Sequence, residues 1–201
     1  GQLIPTQEVR AITATANEKY FFLTHDSIGY VDQGLTSCNS GFPFHVENGG
    51  YGLNYKCEDW RYNNTGIEAL AYYDGFVYVN RGDEIHKRDV ATAAIVATAS
   101  IPGGGFSGVF FGGNQIENSG IIIDDCGKIF VGSKNQVVEF NTSLTQINIY
   151  PTTNSINVYD VDLSTGGNLI VTGSTGTSGS NNRTSSLESI TVGSCAPPVT
   201  I

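Results

Sequence analysis

Methionine is absent from the 201 residues, tryptophan occurs once, and charged residues make up only 14%. Positive charge is scarcest: Lys and Arg total 10 against 19 Asp and Glu, a net charge of −9. A surface this acidic has no means of displacing counterions from phosphates, which excludes nucleic acid as a partner. The same deficit argues against an anionic membrane surface. Long apolar runs are missing too. The longest are short stretches such as Ile121-Ile122-Ile123, so membrane insertion of a helix is not expected. No secretory signal opens the chain, and Gly1 reads as a processed or trimmed end. No stretch carries a persuasive helical period.

What is present is glycine (25 residues), with abundant Ser, Thr and Asn, and aromatics at 10%. That mixture suits many short strands joined by turns, and it holds too much apolar material for disorder. The four cysteines can pair in three ways. Cys38–Cys57 with Cys126–Cys195 is the expected pairing, because the first bridge closes a short Gly/Asn-rich insertion. An even cysteine count, an acidic surface and three Asn-x-Ser/Thr sequences (Asn63, Asn141, Asn182) fit an exported protein.

The strongest signal is an internal repeat. Four segments each place a short apolar strand, a polar turn and a second apolar strand in succession. The turns are Thr15-Ala-Asn-Glu-Lys19, Tyr72-Tyr-Asp-Gly-Phe76, Asp124-Asp-Cys-Gly-Lys128 and Ser164-Thr-Gly-Gly-Asn168. Before each turn two apolar residues alternate: Ile12/Ala14, Ala69/Ala71, Ile121/Ile123 and Val161/Leu163. Period two is the strand period. Third strands follow at 28–32, 85–89, 137–141 and 187–191, and fourth strands at 95–101 and 146–150. The second strands begin at residues 20, 77, 129 and 169, with spacings of 57, 52 and 40. Four antiparallel strands per repeat of roughly 40–50 residues is the signature of an all-β propeller. A β-sandwich would not explain the four-fold grammar. The expected organisation is blades over 1–195, with insertions at 37–64, 102–118 and 172–186, and the start of a linker at 196–201. Four blades either close by themselves or form part of a larger propeller, and the larger propeller is the expectation.

Ile85-His-Lys-Arg-Asp89, Ala97-Thr-Ala-Ser-Ile-Pro-Gly-Gly-Gly105, Asp124-Asp-Cys-Gly-Lys-Ile-Phe-Val-Gly-Ser133 and Val171-Thr-Gly-Ser-Thr-Gly-Thr177 occur in that order. Together they resemble the propeller region of very large Bacteroidetes surface proteins associated with gliding motility. The resemblance implies an extracellular, cell-surface location and export by the type IX secretion machinery. It also implies a module preceding adhesin-like repeats. Asp26-Ser27-Ile28 resembles the sequence those bacteria use for O-glycosylation, which makes Ser27 the expected glycan site. The resemblance brings no catalytic motif.

Chemistry-bearing residues are sparse. His25, His45 and His86 have no metal-ligand spacing. Ser107 lacks the Gly-x-Ser-x-Gly elbow, and no phosphate-binding loop is present. Asp160 and Asp162 share one side of a strand, and Asp124 and Asp125 occupy an equivalent turn region one blade earlier. These carboxylates could hold Ca²⁺, the one cofactor the composition suggests; as turn-starting residues they need no ion. Glu58-Asp59-Trp60 lies in the 37–64 insertion with Phe42, Phe44, Tyr51, Tyr55 and Tyr62. There Trp60, Tyr55, Tyr62 and Asp59 are candidate ligand contacts, since exposed aromatics stack on sugars; the alternative is that these aromatics fill a small core of the insertion itself. Arg81-Gly82-Asp83 matches an integrin-binding tripeptide, but its place in the repeat makes it a hairpin. The expected function is a non-catalytic binding or spacer module whose partners are surface glycans or other cell-surface proteins. The alternative is a carbohydrate-binding or carbohydrate-active propeller.

Overall fold

In a computed structural model of the chain, residues 69–92, 94–104, 120–175, 184–193 and 195 are described in full. The strands within 9–47 and 106–116 are described as backbone. All elements among the described residues are β-strands joined by turns.

The first blade contains β1 (Val9–Ala14), β2 (Tyr20–Thr24), β3 (Ile28–Val31) and β4 (Phe44–Glu47). The second contains β5 (Ala69–Tyr73), β6 (Phe76–Asn80), β7 (Glu84–Asp89) and β8 (Ile95–Ser100). A separate hairpin follows, β9 (Phe106–Phe110) and β10 (Gly113–Ile116). The third blade contains β11 (Ile121–Ile123), β12 (Ile129–Ser133), β13 (Gln136–Phe140) and β14 (Gln146–Pro151). The fourth has β15 (Asn157–Leu163), β16 (Asn168–Ser174) and β17 (Ser185–Thr191). Within every blade, each strand pairs antiparallel with the next in sequence. β1 lies against β5, β5 against β11, and β11 against β15, so the blades follow one another around an arc.

Three details differ from the sequence reading. The 37–64 insertion contributes β4, which completes blade 1, and 102–118 contains the β9–β10 hairpin. Both segments are glycine-rich, and glycine density masks short strands. The 172–186 insertion is shorter, because β16 runs to Ser174 and β17 starts at Ser185. The turn expected over Tyr72–Phe76 is tighter: Tyr73 pairs with Phe76, and Asp74 (φ 45°) and Gly75 (φ 81°) form the link. Positive φ at both central residues is the type I′ arrangement, whose twist matches the strands it joins.

Blade 3 is sandwiched, and its sequence reflects that. Ile129, Phe130 and Val131 are consecutive in β12 and all fully buried. Side chains alternate across a sheet, so the run splits between two cores. Ile129 and Val131 join Tyr78, Ile85, Val138 and Phe140 against blade 2. Phe130 joins Val137, Val158, Val161, Leu169 and Val171 against blade 4. Each fully buried side chain of this size contributes roughly 1.5–3 kcal/mol.

Polar side chains hold the blades in register. Asn80 is fully buried. Its Nδ2 donates to the carbonyls of Gly120 (3.0 Å) and Gly132 (3.2 Å), while its Oδ1 accepts from the Gly82 amide at 2.7 Å. Lys87 sits 3.8 Å from the centre of the Phe76 ring and donates to the Thr142 carbonyl at 2.9 Å, bridging blades 2 and 3. Glu188 of β17 accepts from the amides of Thr153, Asn154 and Ser155 at 2.7, 2.9 and 2.6 Å. Burial pushes its carboxyl up. The Ser155 hydroxyl and those three amides outweigh burial and bring it below the usual glutamate value.

Candidate functional site

Two turns of the same design lie side by side at one end of blades 3 and 4. In the first, the Asp124 amide donates to Lys128 O at 3.0 Å and the Gly127 amide to Asp124 O at 2.9 Å. In the second, Ser164 donates to Asn168 O at 2.8 Å and Gly167 to Ser164 O at 3.0 Å. Gly127 and Gly167 have φ of 79° and 75°, in the left-handed region that glycine enters without penalty. The first residue of each turn tightens it with its side chain. Asp124 Oδ1 accepts from the amides of Cys126 (2.9 Å) and Lys128 (2.8 Å), and Ser164 Oγ accepts from Asn168 at 3.1 Å. Asn141 repeats the device between β13 and β14, accepting from Ser143 and Thr145.

Between the two turns lies a cleft of about 500 Å³. Asp124, Asp125, Asp162, Ser164 and Thr165 line it, with Ile122, Ile123 and Leu163 beneath and Val192, Gly193 and Cys195 on one side. That side is the segment following β17. Gly193 (φ 77°) bends it toward blade 3, and a disulfide joins Cys195 to Cys126, with Cα atoms 5.9 Å apart. This is the pairing expected from the sequence for these two cysteines. The bridge spans 69 residues of chain, for which the loop-entropy account gives about 4 kcal/mol.

Of the four aspartates considered for Ca²⁺ in the sequence, Asp124, Asp125 and Asp162 line this cleft. Asp160 is not among its lining residues; its Oδ1 accepts from the Val161 amide at 2.9 Å. Asp162 Oδ1 is likewise held by the Leu163 amide at 2.7 Å. Asp124, Asp160 and Asp162 thus each engage neighbouring backbone amides. Asp124, Cys126 and Cys195 approach one another within 4.8 Å. With the sulfurs bonded to each other, this group offers a cation only a carboxylate. The cleft thus presents carboxylate and hydroxyl oxygens on a rigid frame, suited to a ligand rich in hydrogen-bond donors.

The remaining expectations divide. Trp60, Tyr55, Tyr62, Asp59, Ser27, Cys38 and Cys57, together with the linker at 196–201, lie outside the described residues. Arg81-Gly82-Asp83 links β6 to β7 as expected. Arg81 is 6% exposed and Gly82 is buried with φ 87°, so the tripeptide is not displayed. His86 is buried, with Nε2 3.3 Å from Arg81 Nη1 and 3.1 Å from Glu84 Oε2. Sequence reasoning missed the wall formed by Val192, Gly193 and Cys195 and the part played by Ser164. The alignment of Ser164 with Asp124 in the repeat was the available signal.

No family model matches the chain, and no curated protein matches it. Solved structures do. A catalytically inactive histidine-to-alanine form of virginiamycin B lyase from Staphylococcus aureus, with quinupristin, is 16% identical with a TM-score of 0.57; the match covers 92% of this chain and 53% of that one. The WD40 β-propeller domain of Doa1 is 15% identical with a TM-score of 0.55, covering 82% and 47%. The WD40 repeats of RRP9 are 12% identical with a TM-score of 0.55, covering 84% and 46%. The fold is therefore a β-propeller, and the chain spans about half the length of these propellers. Some of the similar structures are enzymes and others are WD40 repeats; at these identities the likeness defines the fold alone.

Proposed function

We propose that this chain is part of an extracellular, non-catalytic binding module, and that the cleft between blades 3 and 4 is where its ligand docks. The observation that carries this reading is the Cys126–Cys195 bridge. It suits an oxidising compartment, and it pins one wall of a polar cleft onto a rigid frame. Pre-set walls lower the ordering cost of binding. In this reading the protein is a cell-surface, adhesin-like molecule exported by type IX secretion, and its partners are surface glycans or other cell-surface proteins. The juxtaposed carboxylates and hydroxyls of Asp125, Asp162 and Thr165 favour a polyhydroxylated ligand among these.

The three carboxylates at the cleft motivate a second reading, a carbohydrate-active propeller. The two readings separate in one experiment. Immobilised wild-type protein and the double variant Asp125→Asn/Thr165→Ala are exposed to bacterial surface polysaccharides. Retention is recorded by biolayer interferometry and product release by chromatography. The proposal expects retention without products, lost in the variant. Products that disappear with the variant would establish an enzyme instead. Retention unchanged by the variant would remove the cleft from the binding role.

A further inference from the structure

The wall of the cleft formed by Val192, Gly193 and Cys195 is held in two different ways. Val192 packs against the core of Phe130, Leu169 and Val171, so apolar contact anchors the chain up to that point. Cys195 is held covalently, by its bond to Cys126. Gly193 stands between them, exposed, with φ 77°. A Cβ at this position would meet no atom within 4 Å. The backbone there has open space to turn in, and glycine changes conformation at little cost.

The bond itself is within reach of solvent. Cys126 is exposed, on the turn between β11 and β12, and Cys195 is half-buried. Disulfides shielded in a core resist exchange, whereas exposed ones are the labile and regulatory ones. Cys126 also belongs to the frame of the cleft. Its amide donates to Asp124 Oδ1 at 2.9 Å, and Asp124 and Asp125 line the cleft. One bond thus joins both sides of the cleft. The Asp124 carboxylate lies within 4.8 Å of the two sulfurs, and the exposed Asp125 adjoins Cys126 in the chain. These charges repel an anionic thiol and favour a neutral or cationic one.

We propose that Cys126–Cys195 is a thiol–disulfide exchange site, and that its reduction by a neutral or cationic dithiol frees Cys195 to swing about Gly193 and opens the cleft. A thiolate of the dithiol attacks Cys126 Sγ, forms a mixed disulfide and expels Cys195 as a thiolate, which takes up a proton. The second thiolate of the reductant then attacks the reductant's own sulfur in the mixed disulfide. That step closes the reductant's disulfide and expels the Cys126 thiolate, which is protonated in turn. Two electrons and two protons pass from the dithiol to the bridge. In an oxidising setting the bridged form is the resting state, so the cleft keeps both walls until a dithiol is supplied. The effect on binding rests on the cleft being the docking site proposed above: without its pre-set wall, the ordering cost of binding rises.

The test is reduction of the folded 201-residue protein with dithiothreitol, an uncharged dithiol, at about 1 mM and about pH 8. Differential alkylation with peptide mass mapping reports which cysteines are reduced, and NMR relaxation reports backbone order. Cys126 and Cys195 are expected to become alkylatable within about an hour. The order parameters of Gly193 and Cys195 are expected to fall from about 0.85 to below about 0.6, while those of β12 and β16 do not change. The Cys126→Ser/Cys195→Ser variant should show the low values with or without the dithiol. Retention of the surface polysaccharides should fall about tenfold on reduction. A bridge that yields only after the protein is denatured would overturn the proposal. So would reduction that leaves Gly193 and Cys195 ordered, or that loosens β12 and β16 as well, since the bridge would then be a staple of the whole fold. Polysaccharide retained equally by both forms, with the wall loosened, would overturn the control of binding. If neither form retains polysaccharide, the docking reading fails, and the order parameters still decide the redox proposal by themselves.

Discussion

Removing the charge of Glu188 tests how the fourth blade is held. Its carboxylate receives three backbone amides from residues 153–155, at 2.6–2.9 Å. These residues connect blade 3 to blade 4, so the contact joins the last strand to the hinge between the two blades. Hydrogen bonds to a charged acceptor contribute roughly 1.5–3 kcal/mol each when buried, and much less near solvent. Glu188 is half-buried, so Glu188→Gln is expected to cost about 1 kcal/mol and Glu188→Ala about 2 kcal/mol. In a domain of this size, 1 kcal/mol corresponds to about 2–4 °C in Tm. The folded carboxyl lies below its ordinary value. The stabilisation is therefore present above the unfolded-state pKa of about 4.3 and is lost as the pH falls through the folded value. Calorimetry of wild type and Glu188→Gln at pH 7 and at pH 3 reads both expectations. The gap in Tm should be open at pH 7 and narrow in acid. Equal Tm values at pH 7, or a gap indifferent to acid, would refute the clamp.

Other perturbations act elsewhere in the arc. Replacing Cys126 and Cys195 together by Ser removes the 69-residue bridge and is expected to lower unfolding stability by about 4 kcal/mol, read as a lower denaturant midpoint. Asn80→Ala would leave the Gly82 amide and the carbonyls of Gly120 and Gly132 without their side-chain partner. A loss of about 2–4 kcal/mol is expected by chemical denaturation, and a change under 0.5 kcal/mol would contradict the bridging role. The Tyr78 phenol is pushed up to about 12, by burial first and then by Asp74 and Tyr73. Ultraviolet titration should find it protonated at pH 10.5. Its raised value also makes its contribution to stability fully present below about pH 10 and lost as the pH climbs through 12.

The fold was legible because propeller blades repeat local chemistry. Ile121/Ile123 before a turn and Ile129-Phe-Val-Gly after it give a strand pair from period and turn alone, and β11 and β12 stand there. The weak points were local as well. Phe106–Phe110 and Phe44–Glu47 form strands inside stretches whose glycines suggested loops; their Phe and Val are strand formers, a signal that the surrounding glycines obscured. The candidate cleft was legible only in parts. Asp124, Asp125 and Asp162 stood out as carboxylates near turns, and Cys126 and Cys195 as a plausible pair, yet nothing in their spacing placed all of them around one cleft.

By itself the sequence determined the repeating strand–turn–strand pattern and the acidic, all-β character. These follow from side-chain alternation and from the backbone preferences of Asp, Asn and Gly over four or five residues. Only the tertiary structure decided which faces are doubly buried, as at Ile129-Phe130-Val131, and that Glu188 reaches back to residues 153–155. It alone decided that the segment after β17 reaches Cys126. Those outcomes depend on how the blades sit against one another, a long-range geometry that local periodicity does not encode.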